Sequence, residues 1–230
     1  NEVATTLSKS KIPTVLTMIG STATGQRVIA DSATSIKKLS MELGGNAPFI
    51  VFEDAAIDKA LDLAIGIKFG NSGQICVAAN RFFVHKSLYN SFLEKYVERV
   101  NNLKLGFGID QKPDMGPMVT RNDRDRMFDL INDAKEKGGV LLVGGEIPKG
   151  MEDGNWMMPT VISGMTTEMR LFREETFGPI APFMSFETDE EVLRLANDTE
   201  FGLASYIFTN NSDRIHRFSE QLAFGEVQVN

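Results

Sequence analysis

The chain has 230 residues, 42% of them hydrophobic and 24% charged, so it can enclose a large apolar core and is not a disordered tail. Its 24 Lys and Arg against 31 Asp and Glu give a net charge of −7, which argues against a general binder of nucleic-acid phosphates. One cysteine excludes an intrachain disulfide and fits a reducing, cytoplasmic setting; no apolar run reaches membrane-spanning length, and no signal peptide opens the chain.

In chain order, Pro13 to Ile19 is apolar and rich in β-branched residues, a strand candidate running into Gly20-Ser21-Thr22-Ala23-Thr24-Gly25. A helix-compatible stretch, Gln26 to Asp31, follows. Ile36 to Leu43 is a second strand, closed by Gly44-Gly45, and Ala47 to Phe52 a third. Ile57, Ala60, Leu61, Ala64 and Ile65 share one helix face at 3–4 spacing. That helix delivers the chain to Gly70-Asn71-Ser72-Gly73-Gln74-Ile75-Cys76, which holds the only cysteine. Arg81 to His85 reads as a strand, followed by a helix with Leu88, Phe92, Tyr96, Val100 and Leu103 on one side. Gly106 to Thr120 is a Gly/Pro loop. A helix over 123–137 turns Met127, Leu130, Ile131 and Ala134 inward and stops at Gly138-Gly139. Beyond it come strands at Val140 to Val143, Pro159 to Ile162, Pro179 to Phe186 and Ser205 to Thr209, with Ile147 to Trp156 expected as an exposed excursion. Helices at 189–197 and 212–222 and a last strand from Glu226 complete the pattern. Strands alternating with helices indicate an α/β fold with a largely parallel sheet, and the best internal boundary is Gly44-Gly45.

Several stretches carry polar groups at positions suited to chemistry. A thiol becomes a nucleophile when its thiolate is stabilised, and backbone N–H groups of a Gly-containing turn can do this and hold an oxyanion. A small buried thiol is the alternative for Cys76. Gly20 to Gly25 lies where a strand turns into a helix, the place at which an open α/β sheet binds phosphates, although the spacing is not Gly-x-Gly-x-x-Gly. Glu42 ends a strand and faces the usual ligand crevice, or else is a solvated strand-end acid. Glu175, Thr176 and Phe177 place an acid beside an aromatic at a turn. His85 and His216 lack metal-ligand spacing, and no Gly-x-Ser-x-Gly elbow occurs, so neither a zinc site nor a serine triad is supported.

Together these segments resemble the NAD(P)-dependent aldehyde dehydrogenase superfamily. Its Glu-Leu-Gly-Gly-(Lys/Asn)-x-Pro motif stands as Glu42-Leu43-Gly44-Gly45-Asn46-Ala47-Pro48, and its Asn-x-Gly-Gln-x-Cys as Asn71 to Cys76. Gly-Ser-Thr-x-x-Gly stands as Gly20 to Gly25, and Glu-x-Phe-Gly-Pro as Glu175 to Pro179, in the family's order. The similarity covers essentially the whole chain, while the family fold extends beyond both ends, so the chain reads as an internal segment. The resemblance implies residues 1–44 as the C-terminal part of a Rossmann-type cofactor domain and 45–230 as a catalytic α/β domain. It implies Cys76 as nucleophile, forming a thiohemiacetal and then a thioester, and Glu42 as the base for its hydrolysis. Gly20 and Ser21 would meet the pyrophosphate of NAD or NADP, Leu43 the nicotinamide through its backbone, Glu175 a ribose, and Phe177 the nicotinamide ring. The oxyanion would rest on the Cys76 N–H and on an Asn outside the segment. A small aldehyde would be the substrate and the full-length protein a homo-oligomer.

Ala196 to Ala204 is similar to the succinate-semialdehyde dehydrogenase branch, and Leu222 to Glu226 to lactaldehyde dehydrogenases. The first branch commonly carries Arg six residues before the nucleophile, where Gly70 stands, and some members a second Cys where Ala78 stands. A CoA-acylating enzyme is disfavoured by Glu42, a cofactor-free cysteine hydrolase by the lack of a His beside Cys76. An inactive structural segment of the same fold is the remaining alternative, and for the isolated segment inactivity is the expectation.

Overall fold

A computed structural model describes residues 2–230, apart from the side chains of residues 110 and 111. The chain divides into two compact units, Asn1–Gly44 and Gly45–Asn230. The first contains α1 (Glu2–Lys9), β1 (Val15–Ile19), α2 (Thr22–Ser32) and β2 (Lys38–Glu42). Its two strands pair in parallel, with Ile19 opposite Glu42. Both alternate exposed and half-buried residues, as a two-stranded sheet covered on one face must.

In the second unit, β3 (Ala47–Val51) leads through α3 (Ile57–Phe69) and a 3-10 turn (Gly70–Gly73) to β4 (Ala79–His85). Then follow α4 (Tyr89–Asn101), α5 (Gly108–Gln111), α6 (Arg121–Glu136), β5 (Val140–Val143), β6 (Thr160–Ser163) and α7 (Arg170–Arg173). The last elements are β7 (Ile180–Phe186), α8 (Asp189–Asn197), β8 (Ala204–Phe208), α9 (Ser212–Gln221) and β9 (Glu226–Val229). The seven strands form one sheet in the order β5-β6-β7-β4-β3-β8-β9, and only β5 runs antiparallel.

Successive strand residues point to opposite faces, and here both faces are covered. Ala47, Phe49 and Val51 of β3 join Phe82 and Val84 of β4 in one core, with Leu61 and Ala64 of α3 and Phe92 and Tyr96 of α4. Ile50 and Phe83 join the other, with Met127, Leu130 and Ile131 of α6, Val192 of α8 and Phe218 of α9. The central strands β3 and β8 are therefore buried at every position.

Three local expectations are corrected. Thr22 to Gly25 belong to α2 rather than to the preceding loop, because Ser21 caps that helix with its hydroxyl accepting from the Thr24 N–H at 3.3 Å. The stretch ending at Trp156 is not wholly exposed: Pro148 and Trp156 are buried, and the indole meets Phe107 edge-on at 5.2 Å. Helices α1, α5 and α7 were not apparent in the apolar pattern; α5 and α7 are four residues each, too short to show a helical period.

Candidate active site

The first unit gathers its candidate residues at the C-terminal ends of its two strands. Gly20 follows β1 and its N–H donates to the Glu42 carbonyl at 3.0 Å. Ser21 sits at the N-terminus of α2, where helix N–H groups are free to meet an anion. Leu43 packs on the same helix: a Cβ at Gly25 would stand 2.7 Å from its methyl group. Glu42 is exposed as the last residue of β2.

The second unit builds a rigid turn around the thiol. Asn71, Ser72 and Gly73 all adopt left-handed φ, at 49°, 58° and 71°, a strained run for the two non-glycine residues. Side chains hold it. The Asn71 amide donates to the Gln74 carbonyl and the Gln74 amide to the Asn71 carbonyl, each at 3.0 Å. Gln74 Oε1 accepts from the Val119 N–H at 2.9 Å, and the Ser72 hydroxyl donates to the Gly116 carbonyl at 2.8 Å. Cys76 emerges from this turn half-buried. Among the described residues its N–H has no acceptor, leaving it free for an incoming oxyanion. The phenol of Tyr206 donates to the next carbonyl, Val77, at 2.8 Å; burial, then the charges of Glu226 and Cys76, push it up to about 12.

Two glycines bring other motifs against the turn. A Cβ on Gly45 would lie 2.2 Å from the Cys76 carbonyl oxygen, and one on Gly73 2.3 Å from that of Gly178. No other residue fits either place. The Gly45 N–H donates to Glu175 Oε1 at 2.9 Å, and burial raises the Glu175 carboxyl against the lowering effect of that bond and of Arg126. Arg126 Nη2 donates to the carbonyls of Glu175 and Thr176 at 2.9 and 2.8 Å. Phe177 follows with φ of 46°, the residue 39% exposed. Thus Cys76, Glu175 and Phe177 belong to one packed assembly within this unit, while Gly20, Ser21, Glu42 and Leu43 form the other group. No cluster of three or more His, Cys, Asp or Glu suited to a metal ion occurs among the described residues. No helix among them is long and apolar enough to cross a membrane.

The whole chain, residues 1–230, matches the aldehyde dehydrogenase family. It belongs to that family. It is 45% identical over 211 residues to the 3-sulfolactaldehyde dehydrogenase of Pseudomonas putida, an alignment covering 92% of this chain and 43% of the relative. A succinate-semialdehyde dehydrogenase [NADP(+)] of Schizosaccharomyces pombe is 42% identical over 224 residues, 97% of this chain and 45% of that protein. The crystal structure of succinate-semialdehyde dehydrogenase from Burkholderia pseudomallei superposes with a TM-score of 0.96 at 42% identity, over 99% of this chain and 47% of that one. The chain therefore spans less than half the length of these relatives.

Sequence reading missed Lys68 and Tyr206, which pack beside the cysteine turn, and Arg126, which holds the carbonyls of Glu175 and Thr176. Lys68 sits in the last turn of α3, where a lysine ordinarily reads as a solvated partner of the helix dipole. Arg126 and Tyr206 act from positions 50 and 130 residues beyond Cys76, with no local signal to point at them.

Proposed function

We propose that the full-length protein oxidises a small aldehyde, succinate semialdehyde first among candidates, to its carboxylic acid with NADP or NAD. Cys76 is the nucleophile: its sulfur attacks the aldehyde carbon, and the Cys76 N–H receives the resulting oxyanion. Bound NAD(P) would supply the hydride acceptor, and Cys76 would then carry the acyl group as a thioester. Glu42 then takes a proton from water, whose oxygen displaces the thiolate and releases the acid. Gly20 and Ser21 would hold the pyrophosphate, the Leu43 backbone and the Phe177 ring the nicotinamide, and Glu175 a ribose hydroxyl. The protein acts as a homo-oligomer in the cytoplasm. The supporting observation is the strained, side-chain-locked turn that presents Cys76 half-exposed with a free N–H. In the full-length enzyme, Cys76→Ala should lower turnover at least a hundredfold. Glu42→Gln should give a burst of NAD(P)H followed by a slow steady state. A Cys76→Ala protein with more than a hundredth of wild-type turnover defeats the assignment.

Gly70 favours a second substrate reading. It offers no cation to a substrate carboxylate, yet a Cβ placed there meets only Ile75 Cδ1, at 4.0 Å, and its φ of −52° suits any residue. Uncharged aldehydes are then the better substrates, and Gly70→Arg should raise kcat/KM for succinate semialdehyde relative to butanal by about tenfold, one charge-assisted pair. A wild type that already prefers succinate semialdehyde a hundredfold and gains nothing from the arginine removes this second reading.

A further inference from the structure

Lys68 is fully buried, and among the described residues its ammonium has one acceptor, Asn80 Oδ1 at 3.0 Å. No opposite charge among the described residues pairs with it, and burial pulls it down to about 7. As architecture this is poor, because an apolar side chain of similar volume would fill the place at lower cost. The arrangement has a consequence one step further on. An ammonium only donates, so Lys68 obliges Asn80 to turn its oxygen towards α3 and therefore its amide nitrogen away. That nitrogen donates to the Gly45 carbonyl at 3.2 Å. Gly45 is the residue pressed on the Cys76 carbonyl, and its N–H holds Glu175. At the other end, the Lys68 carbonyl lies 3.0 Å from the place a Cβ on Gly73 would occupy, so its main chain packs beneath the cysteine turn.

We propose that Lys68 is a positioning residue which, by fixing the Asn80 amide, sets the Gly45 backbone against Cys76 and so aligns the nucleophile. This rests on the reading of Cys76 as nucleophile. The test compares Lys68→Met, Asn80→Asp and the double variant in the full-length enzyme. Asn80→Asp keeps an acceptor for Lys68, now a charged one, and replaces the N–H given to Gly45 by a carboxylate oxygen that cannot donate to it. Each single variant should lower kcat at least tenfold with aldehyde KM within about twofold, the mark of an interaction that matters in the transition state. The double variant should fall no more than about twofold further, since both changes cut one chain. Lys68→Met should unfold at no lower urea concentration than wild type, which separates positioning from support of the fold. Either single variant with kcat within twofold of wild type overturns the proposal, as do multiplicative losses in the double. If Lys68→Met does not fold, Asn80→Asp alone decides. An inert Cys76→Ala beside an undiminished Asn80→Asp defeats this inference alone; an active Cys76→Ala defeats both it and the reading beneath it.

Discussion

Arg81 and Lys68 are both shut away from water, and the fold treats them in opposite ways. Arg81 Nε donates to the Asn46 carbonyl at 3.1 Å, Nη1 to Leu195 at 3.0 Å and Nη2 to Ala196 at 2.8 Å. Its guanidinium also lies 5.7 and 5.2 Å from the ring centres of Phe83 and Phe172. Leu195 and Ala196 are in the last turn of α8, so the cation gives a donor to the Ala196 carbonyl and shares that of Leu195 with the Asp198 N–H at 3.3 Å. Burial brings Arg81 down to about 9, still well above neutrality. Lys68, with its single acceptor, comes down to about 7. The difference is one of donor geometry: a planar fork reaches three carbonyls at once, while an ammonium on a flexible stem meets what one helix end offers. A buried cation whose nitrogens all donate is a bolt between elements. One with a single partner has to be explained by what that partner does next.

The comparison breaks first at Arg81. Arg81→Met keeps much of the volume but strips the donors from three buried carbonyls on two segments. A buried carbonyl left without its donor costs about 1–3 kcal/mol, so a loss of roughly 2–4 kcal/mol in urea unfolding is expected. A loss under about 1 kcal/mol would show that Arg81 is no more architectural than Lys68.

The second effect is a pH dependence confined to Lys68. Its ammonium is disfavoured in the folded state and not in the unfolded chain, where lysine titrates at 10.5. Below about pH 7 both states carry the proton and the full burial penalty applies. Between about 7 and 10.5 the unfolded state holds more protons, so stability rises with pH as the penalty is relieved. At 1.36 kcal/mol per unit the ceiling is roughly 5 kcal/mol, and local opening that admits water brings the expected gain to about half of that. Because other groups titrate here too, the measurement is the difference between wild type and Lys68→Met from pH 7 to 10. A difference that stays flat means that folded Lys68 keeps its proton throughout, as a hydrated lysine does, and its contrast with Arg81 disappears.

The sheet is legible in the sequence because its strands are apolar runs between turn residues, and α4 and α6 because their inward residues recur at helical spacing. Met127, Leu130, Ile131 and Ala134, read from period alone, are all buried. Cys76 stood out as the lone cysteine in a polar, Gly-containing turn. The residues holding that turn did not stand out, for a physical reason. Lys68 and Arg81 have the composition of a solvated face, and only the pairing of β3 with β4 and the packing of α3 beneath them put these cations inside. Glu175 meets Gly45 across 130 residues, a contact that no local pattern encodes.

The smallest effect expected is at Arg126, which lies between the two cases: about a third exposed, with two carbonyl acceptors. It ties α6 to the segment in which Phe177 takes left-handed φ and Gly178 is closed in by Met127, whose sulfur would lie 2.2 Å from a Cβ there. Arg126→Met removes the tie and keeps the bulk. Water can replace the lost donor at this exposure, so the stability cost should be only about 1 kcal/mol. The consequence should instead fall on Glu175 and Phe177, the residues proposed to meet ribose and nicotinamide. The dissociation constant for NADPH, read from its fluorescence, should rise about three- to tenfold, with kcat at saturating cofactor changed less than twofold. Lys68 is expected to do the reverse, lowering kcat with little change in KM, because its chain of bonds ends at Gly45 beside the nucleophile. The Gly178 carbonyl also underlies Gly73, so movement of the loop has a route to the cysteine turn. If Arg126→Met lowers kcat as much as Lys68→Met does, that route dominates, and the two loops move as one body rather than being set by separate cations.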